Sequence, residues 1–316
     1  MTPLEAILTA AVYGGILLII YGVVYWAHRA QTDRSAFVGL YLLLGFPGGL
    51  LALWGFATLV VNGESWGWRY LLVGLGLALP LVKPLRRLVA SFTRIDPGSS
   101  VDMVGLSALL AALSLLALVV AQSNGNAIDP ETMESPNSID LLAQAVFLSL
   151  MAYILVGVGI TRSFRQATER LGLALPGPRT VFIALGAVLV GLVFSAVGGA
   201  LTAQFQPDLY DQVENVTTEL TAEVHNPVGA LLLGITAGVG EELLFRGAVQ
   251  PRFGLLLTSL TFAFLHAPQY GFSFVILGLF GVAVLLGVER MRYGTVAAII
   301  THAGFNTLAV LAETYL

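Results

Sequence analysis

The sequence predicts an all-α protein: a polytopic transmembrane helical bundle of about ten spans, with a motif-bearing four-helix core at its C-terminal end. Three observations carry that reading. Of 316 residues, 57% are hydrophobic and only 11% are charged, whereas charged residues supply roughly a quarter of a soluble domain. Mean hydropathy is +0.85. Apolar runs of about 20 residues recur from end to end, the helix length demanded by a hydrocarbon core of roughly 30 Å.

The runs fall at 4–26, 36–61, 70–91, 103–121, 141–161, 180–202, 227–249, 254–267, 273–288 and 295–312. The first lacks a basic flank and a small-residue cleavage site, so it is expected to be a retained helix. Run 254–267, at about 14 residues, is short for a span and is expected to be re-entrant or sheltered by its neighbours. Residues 83–97 (KPLRRLVASFTRIDP) alternate basic and apolar positions and are expected to lie along the cytoplasmic interface. The loops alternate in charge. Arg29 and Arg34, then Lys83, Arg86, Arg87 and Arg94, then Arg162, Arg165, Arg170 and Arg179, then Arg252, then Arg290 and Arg292 follow the odd-numbered runs. The intervening loops hold Asp129, Glu131, Glu134 and Asp140, then Asp208, Asp211, Glu214, Glu219 and Glu223. By the positive-inside rule the basic loops are cytoplasmic, and both termini are expected outside. Loop 122–140 is polar and reads as a solvated linker.

Composition also excludes function classes. With no cysteine, a disulfide scaffold, a thiol nucleophile and an iron–sulfur centre are ruled out, and any metal must be held by His and carboxylate. The net charge of −4 and the short basic clusters give no nucleic-acid face, so no nucleic-acid partner is expected. The expected setting is the cell membrane, as a multi-pass integral protein whose partners are the lipid bilayer and a peptide or protein substrate in or at it.

Ionisable groups at membrane depth are costly and mark functional sites, and here they concentrate near the C-terminus. That pattern divides the chain into N-terminal transmembrane helices of unassigned role, 1–205, and a core at 227–316. The stretch GITAGVGEELLFRGAVQPRFG holds Glu241, Glu242 and Arg246; LTFAFLHAP holds His266; GTVAAIITHAGFNTLAV holds His302 and Asn306. Glu242 and Arg246 are i and i+4, so their side chains can meet and neutralise each other. Glu241 is rotated about 100° from Glu242, which leaves it without a local counter-ion and suited to act as a general base. His302 and Asn306, also i and i+4, present two donors to one point, as an oxyanion hole requires. His266 is then a second-helix partner for Glu241 and a water. At 1.5 Å rise per residue, Glu241, His266 and His302 sit about 14, 18 and 10 Å from the cytoplasmic ends of their spans, so tilt or a broken helix is needed to bring them together.

The segment EELLFRG (Glu241 to Gly247) has the form EExxxR, FAFLH (Phe262 to His266) the form FxxxH, and HAGFN (His302 to Asn306) the form HxxxN. In that order, with PRFG after the first, AP after the first histidine and YGTVAAI before the second, they resemble the CAAX protease and bacteriocin-processing-enzyme family. Its members are intramembrane endopeptidases and include the type II CAAX prenyl endopeptidases. The resemblance spans about residues 227 to 312. It implies that Glu241 activates a water, that His266 helps hold it, that His302 and Asn306 stabilise the oxyanion, and that Glu242 and Arg246 form an orienting pair. Family members have been described as glutamate-dependent and as metal-dependent, and Glu241, His266 and His302 are the residues that would hold a zinc ion.

Other hydrolytic designs lack their residues: there is no HExxH, no GxSx-type serine pairs with a membrane histidine, and no aspartate lies in mid-span. The expected function is hydrolysis of membrane-associated peptides, with prenylated CAAX-type substrates the class that the resemblance implies. The alternatives are a catalytically silent scaffold or self-immunity factor, which the intact Glu241, His266, His302 and Asn306 oppose, and a proton-coupled transporter. A transporter needs ionisable groups through both leaflets, and the first six runs are almost bare of them.

Overall fold

The computed structural model describes residues 3–129 and 135–315, and among them it is helical with no β-sheet. Glu131 and Glu134 lie outside the described residues. The helices are α1 (Pro3–Arg29), α2 (Arg34–Phe56), α3 (Gly67–Ala78), α4 (Lys83–Ala90), α5 (Ser100–Gln122), α6 (Ser138–Leu155), α7 (Phe164–Leu171), α8 (Pro178–Phe205), α9 (Pro207–Thr221), α10 (Pro227–Glu242), α11 (Gln250–Leu265), α12 (Ala267–Tyr270), α13 (Val275–Tyr293) and α14 (Thr295–Tyr315). A π-helical segment, Leu243–Val249, joins α10 to α11.

Among the described residues seven helical runs are long and apolar enough to cross a bilayer, and the chain is a multi-pass integral membrane protein. Four of the ten expected runs do not map one to one onto these seven, each for a local reason. The run at 70–91 breaks at Val82, whose backbone is extended, because Pro80 and Pro84 interrupt the hydrogen-bond ladder. The apolar part ends at Leu81, and Lys83–Ala90 forms the separate α4. The runs at 227–249 and 254–267 follow each other directly within Pro227–Leu265 and are parted by a break at Gly254. Pro251 sits in the first turn of α11, where its missing N–H costs least, and the only non-helical residue is Gly254 (φ 79°, ψ 173°). The short run is thus a separate helical segment that begins beyond the break at Gly254. Finally, the run at 273–288 lies in α13, whose end carries Glu289, Arg290 and Arg292, so its apolar part is shorter than those of the seven.

The acidic segment at 208–223 is not a loop. Pro207 starts α9, and Val213 and Val216, one turn apart, are its buried face. The described part of 122–140 is docked: the Ile128 N–H donates to the Pro268 carbonyl at 2.9 Å, and the Phe272 N–H to the Gly125 carbonyl at 2.9 Å.

By contacts the described chain forms two units, one drawn from Met1–Tyr21, Gly125–Pro251 and Leu255–Leu316, the other from Gly22–Asn124 and Arg252–Gly254. In the second, α2 and α3 pack through glycines: a Cβ on Gly55 would collide with the Leu71 backbone, and one on Gly74 with that of Ala52. Arg86, 4% exposed, donates to the carbonyls of Pro80, Leu81 and Pro97 at 2.6, 2.9 and 2.9 Å. It therefore closes the broken end of the third run as well as marking a basic loop. Arg252 pairs with Asp102.

In the first unit, α10 lies against α14 and α6, and α14 is also flanked by α8 and α13. Two apolar clusters hold these elements. One joins Ala152 and Val156 of α6, Ala167 and Leu171 of α7, the π segment from Leu243 to Ala248, and Phe262. The other joins Val188, Val282, Leu286, Ala298 and Phe305. Thus α6 and α8, from the N-terminal part of the chain, pack in the same unit as the motif helices.

Candidate active site

The site is built where α10 meets α14, and glycine spacing makes that meeting close. A Cβ on Gly234 would collide with the Ala303 carbonyl, and one on Gly238 would stand 3.0 Å from the Ala303 nitrogen. Small residues four apart let helix backbones approach within a membrane. Glu242 continues the same face one turn on, and there it meets His302.

Glu242 is completely buried and uses both oxygens. Its Oε1 accepts from His302 Nδ1 at 2.8 Å, and its Oε2 stands 3.0 Å from Arg246 Nε, with side-chain exposures of 0% for Glu242 and Arg246 and 6% for His302. The Arg246 contact is an ion pair without an aligned hydrogen bond: neither Glu242 Oε2 nor any guanidinium nitrogen finds a hydrogen-bond partner among the described residues. The guanidinium instead lies over the Phe262 ring, 4.9 Å from its centroid, a cation–π contact. The i,i+4 pairing expected of Glu242 and Arg246 is present, with His302 as a third member.

Phe262 is the hub of the two histidines. Its ring centroid is 5.0 Å from that of His266 and 5.9 Å, edge-on, from that of His302, with Phe245 edge-on at 5.3 Å. His266 Nδ1 lies 2.9 Å from the Phe262 carbonyl. A carbonyl only accepts, so Nδ1 carries the hydrogen and Nε2 keeps a lone pair. Tyr270, four residues on, stacks parallel to His266 at 6.3 Å. Sequence reasoning used Phe262 only as a motif letter and passed over Tyr270, Gly234 and Gly238. The four-residue spacing of each from a motif residue or from its partner was the available signal.

Glu241 and Asn306 stand at the edge of this group. Both are half-buried. The Glu241 carboxylate lies within electrostatic reach of Arg246, His302 and Tyr270, and Asn306 follows His302 by one turn of α14. The depth mismatch computed from straight helices does not keep the motifs apart: the 2.8 Å bond joins α10 to α14, and Phe262 touches both histidines. His302 has only Nε2 left for a substrate, because Nδ1 is committed to Glu242. Among the described residues no group of three or more His, Asp or Glu side chains is placed to hold a metal ion. Glu241, His266 and His302 therefore do not fit a zinc triad as they stand.

Residues 223–308, which contain all of these side chains, match a protein-family model described as type II CAAX prenyl endopeptidase Rce1-like. The stretch is therefore similar to the family that the three motifs resemble, and the similarity supports a CAAX-type intramembrane protease in general, acting on a peptide or protein substrate at the membrane. No curated protein and no solved structure matches the chain.

Proposed function

We propose that residues 227–316 are the catalytic core of a membrane-embedded endopeptidase whose reaction uses a carboxylate-activated water. The observation that carries this reading is the fully buried Glu242 anchoring both Arg246 and His302 beside a second carboxylate, Glu241, within the stretch similar to CAAX prenyl endopeptidases. Two carboxylates balance Arg246 and an imidazolium, so the cluster holds charged groups without net charge in a dry interior.

In the proposed reaction Glu241 takes a proton from a water that also donates to the His266 Nε2 lone pair. The resulting hydroxide attacks the scissile carbonyl. His302, fixed by Glu242 through Nδ1, turns Nε2–H to the developing oxyanion, and the Asn306 amide one turn on supplies the second donor. The proton on Glu241 then passes to the leaving amine, and the carbon–nitrogen bond breaks. Zinc is given no part, since the described side chains do not form a ligand set. The substrate class suggested by the similarity is a prenylated C-terminal CAAX peptide, whose lipid would hold it at the bilayer.

The test uses the full chain in nanodiscs with quenched-fluorescent CAAX peptides, prenylated and unprenylated, before and after exhaustive chelation. Cleavage that survives chelation and disappears in Glu241→Gln, with unfolding unchanged, supports the scheme. Loss on chelation with stoichiometric zinc in the untreated protein would replace it with a metal mechanism. Absence of cleavage with every peptide would favour a scaffold.

A further inference from the structure

The last turn of α13 carries two adjacent polar side chains, Glu289 and Arg290, that the hydrolytic scheme does not use. Glu289 is 3% exposed and Arg290 half-buried. Being about 100° apart on the helix, they reach different neighbours. Glu289 Oε1 accepts from Thr301 Oγ1 at 2.9 Å. The same hydroxyl lies 3.0 Å from the Ala184 carbonyl, so one contact ties α13, α14 and α8 together at the residue immediately before His302.

Arg290 reaches the other catalytic element. Its Nε donates to the main-chain carbonyl of Arg246 at 3.2 Å. That carbonyl belongs to the π-helical segment, where i→i+5 bonding replaces the α pattern. Behind it the guanidinium is packed on Gly172, where a Cβ would stand 2.6 Å from Cζ. Gly172 is itself fixed to the start of α14, since its carbonyl accepts from the Thr295 N–H at 3.1 Å and Thr295 Oγ1 donates to the Leu171 carbonyl at 2.5 Å.

Both catalytic elements are therefore braced from one helix turn. Apolar side chains would fill that space at a lower desolvation cost than a buried carboxyl and guanidinium, so filling space does not account for them. We propose that Glu289 and Arg290 are a positioning pair. Glu289 fixes the axial position of α14 through Thr301, Arg290 fixes the π segment through the Arg246 carbonyl, and together they hold His302 Nδ1 in register with Glu242 Oε1. The consequence for turnover rests on the hydrolase reading; the consequence for geometry does not.

The test uses full-length protein labelled with 15N-histidine in nanodiscs. The Nδ1–H resonance of His302 is assigned by its loss in His302→Gln. Glu289→Ala and Arg290→Ala are expected to shift or broaden that resonance, while Glu289→Gln and Arg290→Lys, which keep a hydrogen-bonding group in place, return it towards its original position. In parallel, each alanine variant is expected to lose kcat on the order of tenfold to a hundredfold, the scale of a small misplacement, with KM little changed. If an alanine variant does not fold, Thr301→Val cuts the Glu289 link at nearly constant volume and is expected to move the same resonance. An unmoved resonance in folded alanine variants overturns the proposal, as does a lysine or glutamine variant that behaves like the alanine one. A wild type without turnover counts against the hydrolase reading, and the resonance alone then decides the positioning pair.

Discussion

Changing Glu242 to glutamine keeps the side chain's shape and removes the charge that two buried neighbours address. Arg246 Nε at 3.0 Å and His302 Nδ1 at 2.8 Å use different oxygens of that one carboxylate, and side-chain exposures of 0% and 6% leave no room for water to take its place. Stranding a buried charged partner costs about 3–5 kcal/mol. The charge-assisted hydrogen bond to His302 contributes about 1.5–3 kcal/mol, and the two losses do not add because one group serves both. The amide keeps some hydrogen bonding, so the expected loss for Glu242→Gln is about 3 kcal/mol. Its amide also no longer supports a charged His302, and replacing the carboxylate that orients a catalytic histidine by an amide costs about 10⁴-fold in kcat. Adding Arg246→Met removes the stranded charge. The double variant is expected to recover most of the stability and none of the activity, measured by unfolding and peptide cleavage on the same detergent-solubilised samples. A single variant as stable as the parent, or a double variant less stable than the single, would refute the reasoning.

Further outcomes follow from other elements. His302→Ala and Asn306→Ala are each expected to lower kcat about 10²-fold or more, as loss of an oxyanion donor does; a change confined to KM would remove them from that role. Gly254→Ala places a side chain at φ 79°, ψ 173°, a glycine-only region costing about 1–3 kcal/mol, so unfolding at an unchanged temperature would show that the kink tolerates a Cβ. Asp33 caps α2: hydrogen bonds from the Ala36 backbone, then the Arg29 side chain and the Ser35 backbone, hold its carboxyl below the ordinary 3.8. A lowered folded value means that its contribution is complete above the unfolded value and is lost as pH falls through the folded one. The Ser35 and Ala36 amide resonances should accordingly titrate with a midpoint below 3.8, and a midpoint at or above it would contradict the cap.

What the sequence disclosed was whatever depends on neighbours along the chain. Apolar run length announced the membrane bundle, and the i,i+4 spacing of Glu242 and Arg246 announced their ion pair, because helix geometry alone sets both. The bond from Glu242 to His302 spans 60 residues, and no periodicity carries it. The glycines that permit it, Gly234 and Gly238, resemble any small-residue stripe until a partner helix is known. Window hydropathy passed over α9, whose buried stripe is thin, but it set the boundary between the seventh and eighth runs next to the break at Gly254, because the proline and arginine just before it lower hydropathy there. Arg86 and Arg290 were counted as charges facing the cytoplasm, yet each spends hydrogen bonds on buried carbonyls, a role that net charge cannot reveal.

The π-helical turn at Leu243–Val249 acts as an extra residue wound into an otherwise regular helix. Deleting one residue inside it would let the turn relax to α geometry while the helix beyond kept its facing, because the wider turn absorbs the extra residue instead of passing on its rotation of about 100°. A chain one residue shorter at that turn would therefore still present Phe262 and His266 to His302, whereas the same deletion in the regular helix beyond Gly254 would turn them by about 100°.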